Sequence, residues 1–244
     1  LSVVSHGQMD LVVELLQDLA RNCTQSRFDV ILTLNIPEDV PALLQQLPYP
    51  VLVLRNTTPL GFGENHNRAF KHTSAPYFCV INPDIRIASD IFPVLVDGLK
   101  NPSSRVIAPL IVDATGSIED SARKFPTPFK ILCKVFGGCR GQDYQIGSTA
   151  LEPDWVGGML MVFRWDTYAS LGGFDQKFFL YYEDVDLCAR IRLRGGSVVM
   201  IPSVRATHLA RRSSHSSAAY SFMHIRSMTR FFTSMVFVKV MWRS

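Results

Sequence analysis

Short apolar runs alternate with segments of helical spacing through the first hundred residues, and that order leaves few folds open. Residues 1–4 read as a strand. Residues 10–21 place apolar side chains at 11, 12, 15, 16 and 19, the repeat of a helix with one buried face. The alternation recurs, with strands expected at 28–34, 51–54 and 77–81 and helices at 40–47, 63–71 and 89–100. Pro41 sits where the first turn of its helix favours proline. Strands separated by helices line up in parallel, with helices on both faces, so the expected class is α/β with a mostly parallel central sheet.

The second half changes character. Residues 106–112 read as a strand, and 113–147 are rich in Gly, Pro and polar residues and read as loops. Residues 155–163 form an apolar strand containing Gly157-Gly158. Residues 184–194 form an amphipathic helix closed by Gly195-Gly196, and 197–201 a further strand. At 244 residues, 47% apolar and with 16 Phe, the chain can bury the core of one large domain.

A net charge of +4 suits phosphates or an anionic membrane surface and is too weak for nucleic acid. The five cysteines include no C-x-x-C pair and read as reduced thiols of a cytosolic protein, with Cys133/Cys139 as a zinc half-site the minor alternative. No secretion signal is expected, and no apolar run reaches the ~18–20 residues that span a bilayer.

Ligands of such sheets bind at the carboxyl ends of the strands. The polar residues expected there are Ser5-His6, Asn35 and Asn82-Pro83-Asp84. Asp84 can hold a divalent cation against a diphosphate, or close an Asx-type turn. Gly61 and Gly63 can let backbone approach a ligand at a helix entry, although the dinucleotide fingerprint is absent. Glu183, Asp184 and Asp186 follow the aromatic run Phe178-Phe179-Leu180-Tyr181-Tyr182. Carboxylates at a helix start can be caps, but three beside aromatic walls suggest a base in a partly dry pocket. His208 follows another strand, and Arg211, Arg212, Ser213, Ser214 and His215 behind it could close over phosphates or form a surface loop.

In order, Ser2-Val3-Val4-Ser5-His6-Gly7, Leu60-Gly61-Phe62-Gly63, Asn67, Val80-Ile81-Asn82-Pro83-Asp84, Trp155-Val156-Gly157-Gly158, Gly172-Gly173-Phe174-Asp175, Phe179 to Leu187 and His208 resemble the inverting family 2 glycosyltransferases of the GT-A fold. The likeness is greatest to the rhamnosyl- and galactofuranosyl-transferase-like branch. It implies a Rossmann-like GT-A domain over 1–219, with a nucleotide-binding half (1–112), an acceptor and catalytic half (113–219), and an amphipathic helical tail (220–244).

The resemblance also implies roles. Ser5 and His6 lie at the base-binding end of strand one, and Asn67 helps seat the nucleotide. Asn35 stands where the family often carries an acid that contacts the base. Asn82 takes the first place of the DxD-like element, leaving Asp84 as its metal-binding carboxylate. Trp155, Gly157 and Gly158 line the donor and acceptor pocket. Glu183 belongs to the nucleotide-sugar site, Asp184 is the catalytic base, and His208 is a metal or diphosphate ligand.

The implied cofactor is Mg²⁺ or Mn²⁺. The implied partners are a nucleotide-sugar donor, with dTDP-rhamnose the first guess, and a saccharide or polyprenyl-linked acceptor in bacterial surface polysaccharide synthesis. The tail mixes Phe222, Ile225, Met228, Phe231, Phe232, Met235 and Val236 with Arg226, Arg230, Lys239 and Arg243. It reads as a helix packed on the domain or a dimer face, or as a peripheral contact with the inner face of the cell membrane. Two other classes share parts of the pattern. A sugar-phosphate nucleotidyltransferase should carry a Gly-rich basic loop where Ser5–Asp10 stands, and a non-catalytic nucleotide-sugar-binding module need not keep Asp84, Asp184 and His208.

Overall fold

The computed structural model describes residues 1–135, 138, 141–209 and 218–243. Strands β1 (Ser2–Ser5), β2 (Val30–Leu34), β3 (Val51–Arg55) and β4 (Tyr77–Ile81) alternate with helix α1 (Met9–Asn22), a 3₁₀ turn (Ala42–Gln46) and helix α2 (Phe62–Phe70). A two-residue strand β5 (Ile85–Arg86) and helix α3 (Phe92–Gly98) follow. The five apolar positions expected to face the core on α1, Leu11, Val12, Leu15, Leu16 and Leu19, are all buried.

The later elements are β6 (Ser104–Val112), β7 (Ala122–Arg123), α4 (Pro128–Val135), β8 (Trp155–Val156), β9 (Leu160–Arg164), α5 (Trp165–Leu171), α6 (Glu183–Leu193), β10 (Ser197–His208), α7 (Ala218–Phe232) and α8 (Met235–Met241). The main sheet runs β3-β2-β1-β4-β9-β6-β10-β5, with β7 and β8 as a separate pair. Strands β1 to β4 are parallel, as are β6 and β10, while β9 is antiparallel to both β4 and β6. One apolar cluster packs α1 and α3 onto the sheet, including Leu15 and Leu95. A second packs α5 and α6, including Tyr168 and Leu187.

Several expectations need correction. The apolar run 155–163 is two strands: β8 pairs with β7, and the chain then turns at Gly157-Gly158 to enter the main sheet as β9. A continuous apolar run fits one buried strand or two joined by a turn equally well. The last strand does not stop at Ile201. It passes Pro202 through a register shift between Ile201 and Arg205, an irregularity that tolerates proline, so His208 is its final residue. The loop region 113–147 contains β7 and α4.

The tail is two helices joined at Ser234, whose Oγ accepts from the Phe237 N–H at 3.1 Å. Phe231 and Val240 are buried against Phe178, Tyr182, Val185 and Ala189, so the tail packs on the domain. Among the described residues no helix is long and apolar enough to cross a membrane. Cys23, Cys79 and Cys188 are buried free thiols. Cys139 of the zinc half-site and the segment from Arg211 to His215 lie outside the described residues.

Candidate active site

Strand β1 lies between β2 on one side and β4 on the other, so the strand order reverses there. The crevice at the carboxyl ends of β1 and β4 is where ligands of open α/β sheets sit. Ser5 closes β1 at its rim. Its buried Oγ donates to Glu38 Oε2 at 2.9 Å, and Glu38 Oε1 accepts the Gly7 N–H at 2.9 Å. Glu38 carries no strand-end signal of its own, because Asn35 is the first residue past the strand and the carboxylate lies three residues further on.

Asn35 itself is buried and fully bonded. Its Oδ1 accepts from Leu60 N and Asn56 Nδ2, both at 2.8 Å, and its Nδ2 donates to the Leu60 carbonyl and lies 3.0 Å from His6 Nδ1. Asn35 therefore braces the loop before α2 rather than projecting into the crevice, whereas His6 is exposed at its edge. Asn67 is likewise spent inside the fold. Its Oδ1 accepts from the Tyr168 hydroxyl (2.7 Å) and Phe174 N (3.0 Å), and its Nδ2 donates to the Phe174 carbonyl (2.8 Å).

The glycines of the α2 entry serve the same junction. A Cβ on Gly61 would lie 2.7 Å from the Phe179 carbonyl oxygen, and one on Gly63 would lie 2.4 Å from Phe174 Cβ. They admit the 174–179 segment, so the close backbone approach expected for a ligand is made by the chain itself.

Asn82 N donates to the Met159 carbonyl at 2.9 Å, which fixes the start of the Asn82-Pro83-Asp84 turn. Antiparallel pairing of β10 with β5 sets His208 opposite Ile85, beside Asp84. His208 Nε2 lies 3.2 Å from Asp84 Oδ2, and its Nδ1 lies 2.8 Å from Glu119 Oε2. Burial disfavours the imidazolium, but hydrogen bonds and charge from Asp84 and Glu119 outweigh it and raise the His208 pKa to about 9.

The other Asp84 oxygen, Oδ1, is buried without a hydrogen-bond partner. A buried acceptor left without a donor fits a cation, and a carboxylate oxygen suits Mg²⁺ or Mn²⁺. Among the described residues no group of three or more His, Cys, Asp and Glu forms a complete protein cage. A cation held by Asp84 and His208 would need oxygens from a ligand.

The second centre stands at the start of α6. Tyr181 and Tyr182 both have left-handed backbone, with φ of 70° and 67°, directly before Glu183. Two consecutive non-glycine residues in that region are costly and persist only where the surroundings enforce them. Here α7 supplies the enforcement: Ser227 Oγ donates to the Leu180 carbonyl at 2.8 Å, His224 packs edge-on to both tyrosines, and Phe231 packs on Tyr182.

The three carboxylates then part company. Asp186 is buried and paired with Arg190, whose Nε donates at 2.7 Å. Glu183 is buried with Oε2 unpartnered, and burial together with the Asp184 charge pushes its pKa well up. Asp184 is less enclosed. Its Oδ2 accepts from Gly158 N at 2.9 Å and its Oδ1 from Val185 N at 2.8 Å. Burial raises its pKa, against the pull of those N–H groups and the Arg123 charge.

Asp184 lines a cavity of about 750 Å³ together with Glu183, Trp155, Arg123, Lys130 and, from the tail, His224. Trp155 is held by Nε1 donating to the Lys124 carbonyl and by Arg123 over its ring. The Gly158-Met159 step joins the two centres, since Gly158 N binds Asp184 and the Met159 carbonyl binds Asn82.

A family model described as "Glycosyltransferase like family 2" matches residues 2–231. Rhamnosyltransferase WbbL of Escherichia coli (strain K12) is 29% identical over 246 residues, covering 94% of this chain and 90% of that protein. The N-acetylglucosaminyl-diphospho-decaprenol L-rhamnosyltransferase of Mycobacterium tuberculosis (strain ATCC 25618 / H37Rv) is 28% identical over 163 residues, covering 63% of this chain and 53% of that one.

Among solved structures, GalNAc-T7 with UDP, GalNAc and Mn²⁺ matches with a TM-score of 0.70 at 14% identity, over 95% of this chain and 46% of that chain. The mannosyltransferase PcManGT from Pyrobaculum calidifontis, with GDP-Man and Mn²⁺, matches at 0.66 and 15% identity, over 96% of this chain and 63% of that chain. These likenesses show a GT-A fold. With its family model matched along nearly its whole length, the chain belongs to glycosyltransferase-like family 2.

Proposed function

We propose that the chain transfers a sugar from a nucleoside diphosphate donor to a hydroxyl of a saccharide or lipid-linked saccharide, with inversion, in the synthesis of a bacterial surface polysaccharide. The observation that carries this reading is Asp184, its carboxylate held by Gly158 N at 2.9 Å in the wall of the 750 Å³ cavity. In that position Asp184 takes the proton of the acceptor hydroxyl as its oxygen forms the new bond to the anomeric carbon. The bond from that carbon to the diphosphate breaks on the opposite face, and the nucleoside diphosphate leaves with the electron pair. A divalent cation held by Asp84 and His208 would offset the charge gathering on the diphosphate.

Residues 1–112 then hold the donor nucleotide, with Ser5, His6 and Asn82 at the rim, and 113–219 hold the acceptor and the base. Rhamnose from dTDP-rhamnose is the proposed sugar, supported by the two rhamnosyltransferase relatives. The diphospho-decaprenol in the name of the mycobacterial relative supports a lipid-linked acceptor. A thermal-shift panel of nucleoside diphosphates and nucleotide sugars, with and without Mn²⁺, tests the reading. A metal-dependent rise with one nucleotide class is expected, and a flat panel on folded protein contradicts it.

A cytoplasmic enzyme resting on the inner face of the membrane is the matching location. Ten of the 25 Lys and Arg residues lie after Asp186, where no Asp or Glu occurs. On the packed tail Phe222, Ile225 and Trp242 remain 66%, 56% and 87% exposed. Cationic and exposed aromatic side chains in the C-terminal part of the chain suit an anionic bilayer. Sedimentation with vesicles containing phosphatidylglycerol, lost in a Phe222→Ala/Trp242→Ala variant, is expected; no sedimentation of the wild type removes the membrane contact.

A further inference from the structure

We infer that Glu119 is a positioning residue of the metal centre, setting the tautomer and orientation of His208 so that Nε2 is the nitrogen offered to the cation; this rests on the reading of Asp84 and His208 as the metal ligands. Glu119 arrives from an element unrelated to either ligand. It follows the turn after β6, where Asp113 N donates to the Ser117 carbonyl and Glu119 N donates to the Ile111 carbonyl at 3.0 Å. Its own carbonyl accepts from Ser121 N at 2.8 Å, so the backbone on both sides is held.

The geometry gives the two faces of the imidazole different work. Glu119 Oε2 stands 2.8 Å from Nδ1, and Nε2 faces Asp84 Oδ2 at 3.2 Å. An ionised carboxylate only accepts, so Glu119 keeps a hydrogen on Nδ1, while Asp84 accepts the Nε2–H when no cation is bound. A cation would take the place of the Nε2 hydrogen, and Nε2 is the nitrogen that faces the Asp84 carboxylate, whose Oδ1 is buried without a hydrogen-bond partner. Because Glu119 meets the far nitrogen, it cannot share a ligand point with Asp84 through that contact, and its effect passes through the ring. A carboxylate behind a metal-bound imidazole orients it and raises its basicity, and its loss typically costs 10–100-fold in metal affinity. Residues 119 and 208 are 89 positions apart in sequence and meet through the β6–β10 pairing.

Mn²⁺ binding in the presence of saturating dTDP, followed by the loss of the free-ion electron paramagnetic resonance signal, tests the assignment without any turnover. Glu119→Ala is expected to weaken Mn²⁺ binding about 10–100-fold. Glu119→Gln, whose amide oxygen still accepts from Nδ1–H, is expected to weaken it less. With Mg²⁺ and dTDP bound, nitrogen-15 histidine spectra should show the hydrogen of His208 on Nδ1 in the wild type and a changed Nδ1 signal in Glu119→Ala. Wild-type Mn²⁺ affinity in both Glu119 variants, with Asp84→Ala impaired, overturns the positioning role alone. Wild-type affinity in Asp84→Ala as well overturns the metal reading and the inference with it. If Glu119→Ala does not fold, Glu119→Leu, of similar size and without an acceptor, decides, and unchanged affinity there together with an unchanged His208 spectrum overturns the role.

Discussion

The backbone N–H of Gly158 donates to Asp184 Oδ2 at 2.9 Å, tying the turn between β8 and β9 to the first turn of α6. That bond orients the carboxylate proposed as the base. It also leaves Oδ1 bonded only to the adjacent Val185 N–H among the described contacts. The expected chemistry follows from how this carboxylate is charged and held.

The acid limb of the transfer rate should lie above the pH at which a free aspartate titrates. The base must be ionised, so activity falls as pH drops through its pKa, and burial raises that pKa above the ordinary 3.8. Arg123 opposes the rise through its charge. Arg123→Gln should therefore move the limb of kcat to still higher pH, and a limb that stays put or moves down would contradict the assignment.

Glu183→Gln should stabilise the protein at neutral pH. Burial raises the Glu183 pKa, so the folded state holds a proton that the unfolded chain releases above 4.5. Stability is thus reduced at neutral pH and regained as pH falls towards that value. The Gln variant should melt at least about 2 °C higher at pH 7.5, a shift of the size that ~1 kcal/mol gives. The advantage should vanish near pH 4.5. A pH-independent difference in melting temperature would contradict the burial of this carboxylate.

Asn67→Ala should act on stability before it acts on binding. Its side chain makes three buried hydrogen bonds, to the Tyr168 hydroxyl and to both backbone groups of Phe174. Stranding those partners should cost about 2–4 kcal/mol, seen as a lower urea midpoint. Donor affinity measured on the remaining folded protein should stay close to wild type. A full-stability variant with weakened donor binding would return Asn67 to the nucleotide.

The parallel half was legible because each of its elements carries a local signal. The α1 stripe at 11, 12, 15, 16 and 19 is a helical period, and the strand runs are short and apolar. The placement of Ser5, Asn82 and Asp84 at strand ends followed from that order. What the sequence hid was non-local. The run 155–163 conceals a turn, because apolar character alone does not say which partner a strand takes. Pro202 looked like a strand end because only the pairing with β6 reveals that the register slips around it. Asn35, placed by its strand end, and Asn67, whose nucleotide role came with the family resemblance, carry no sequence hint of the loop and turn that they brace. Glu38 and Glu119 were missed for the converse reason, since each becomes part of a site only through a partner distant in sequence.

The most direct test of the central claim is the single-turnover rate of sugar transfer by Asp184→Asn, measured beside donor binding by calorimetry on the same protein. Loss of transfer by at least about 10²–10³-fold, the lower range for removing a general base, with donor affinity retained, is the expected result. Transfer at the wild-type rate, or parallel loss of donor binding, would contradict the role of Asp184 as the base.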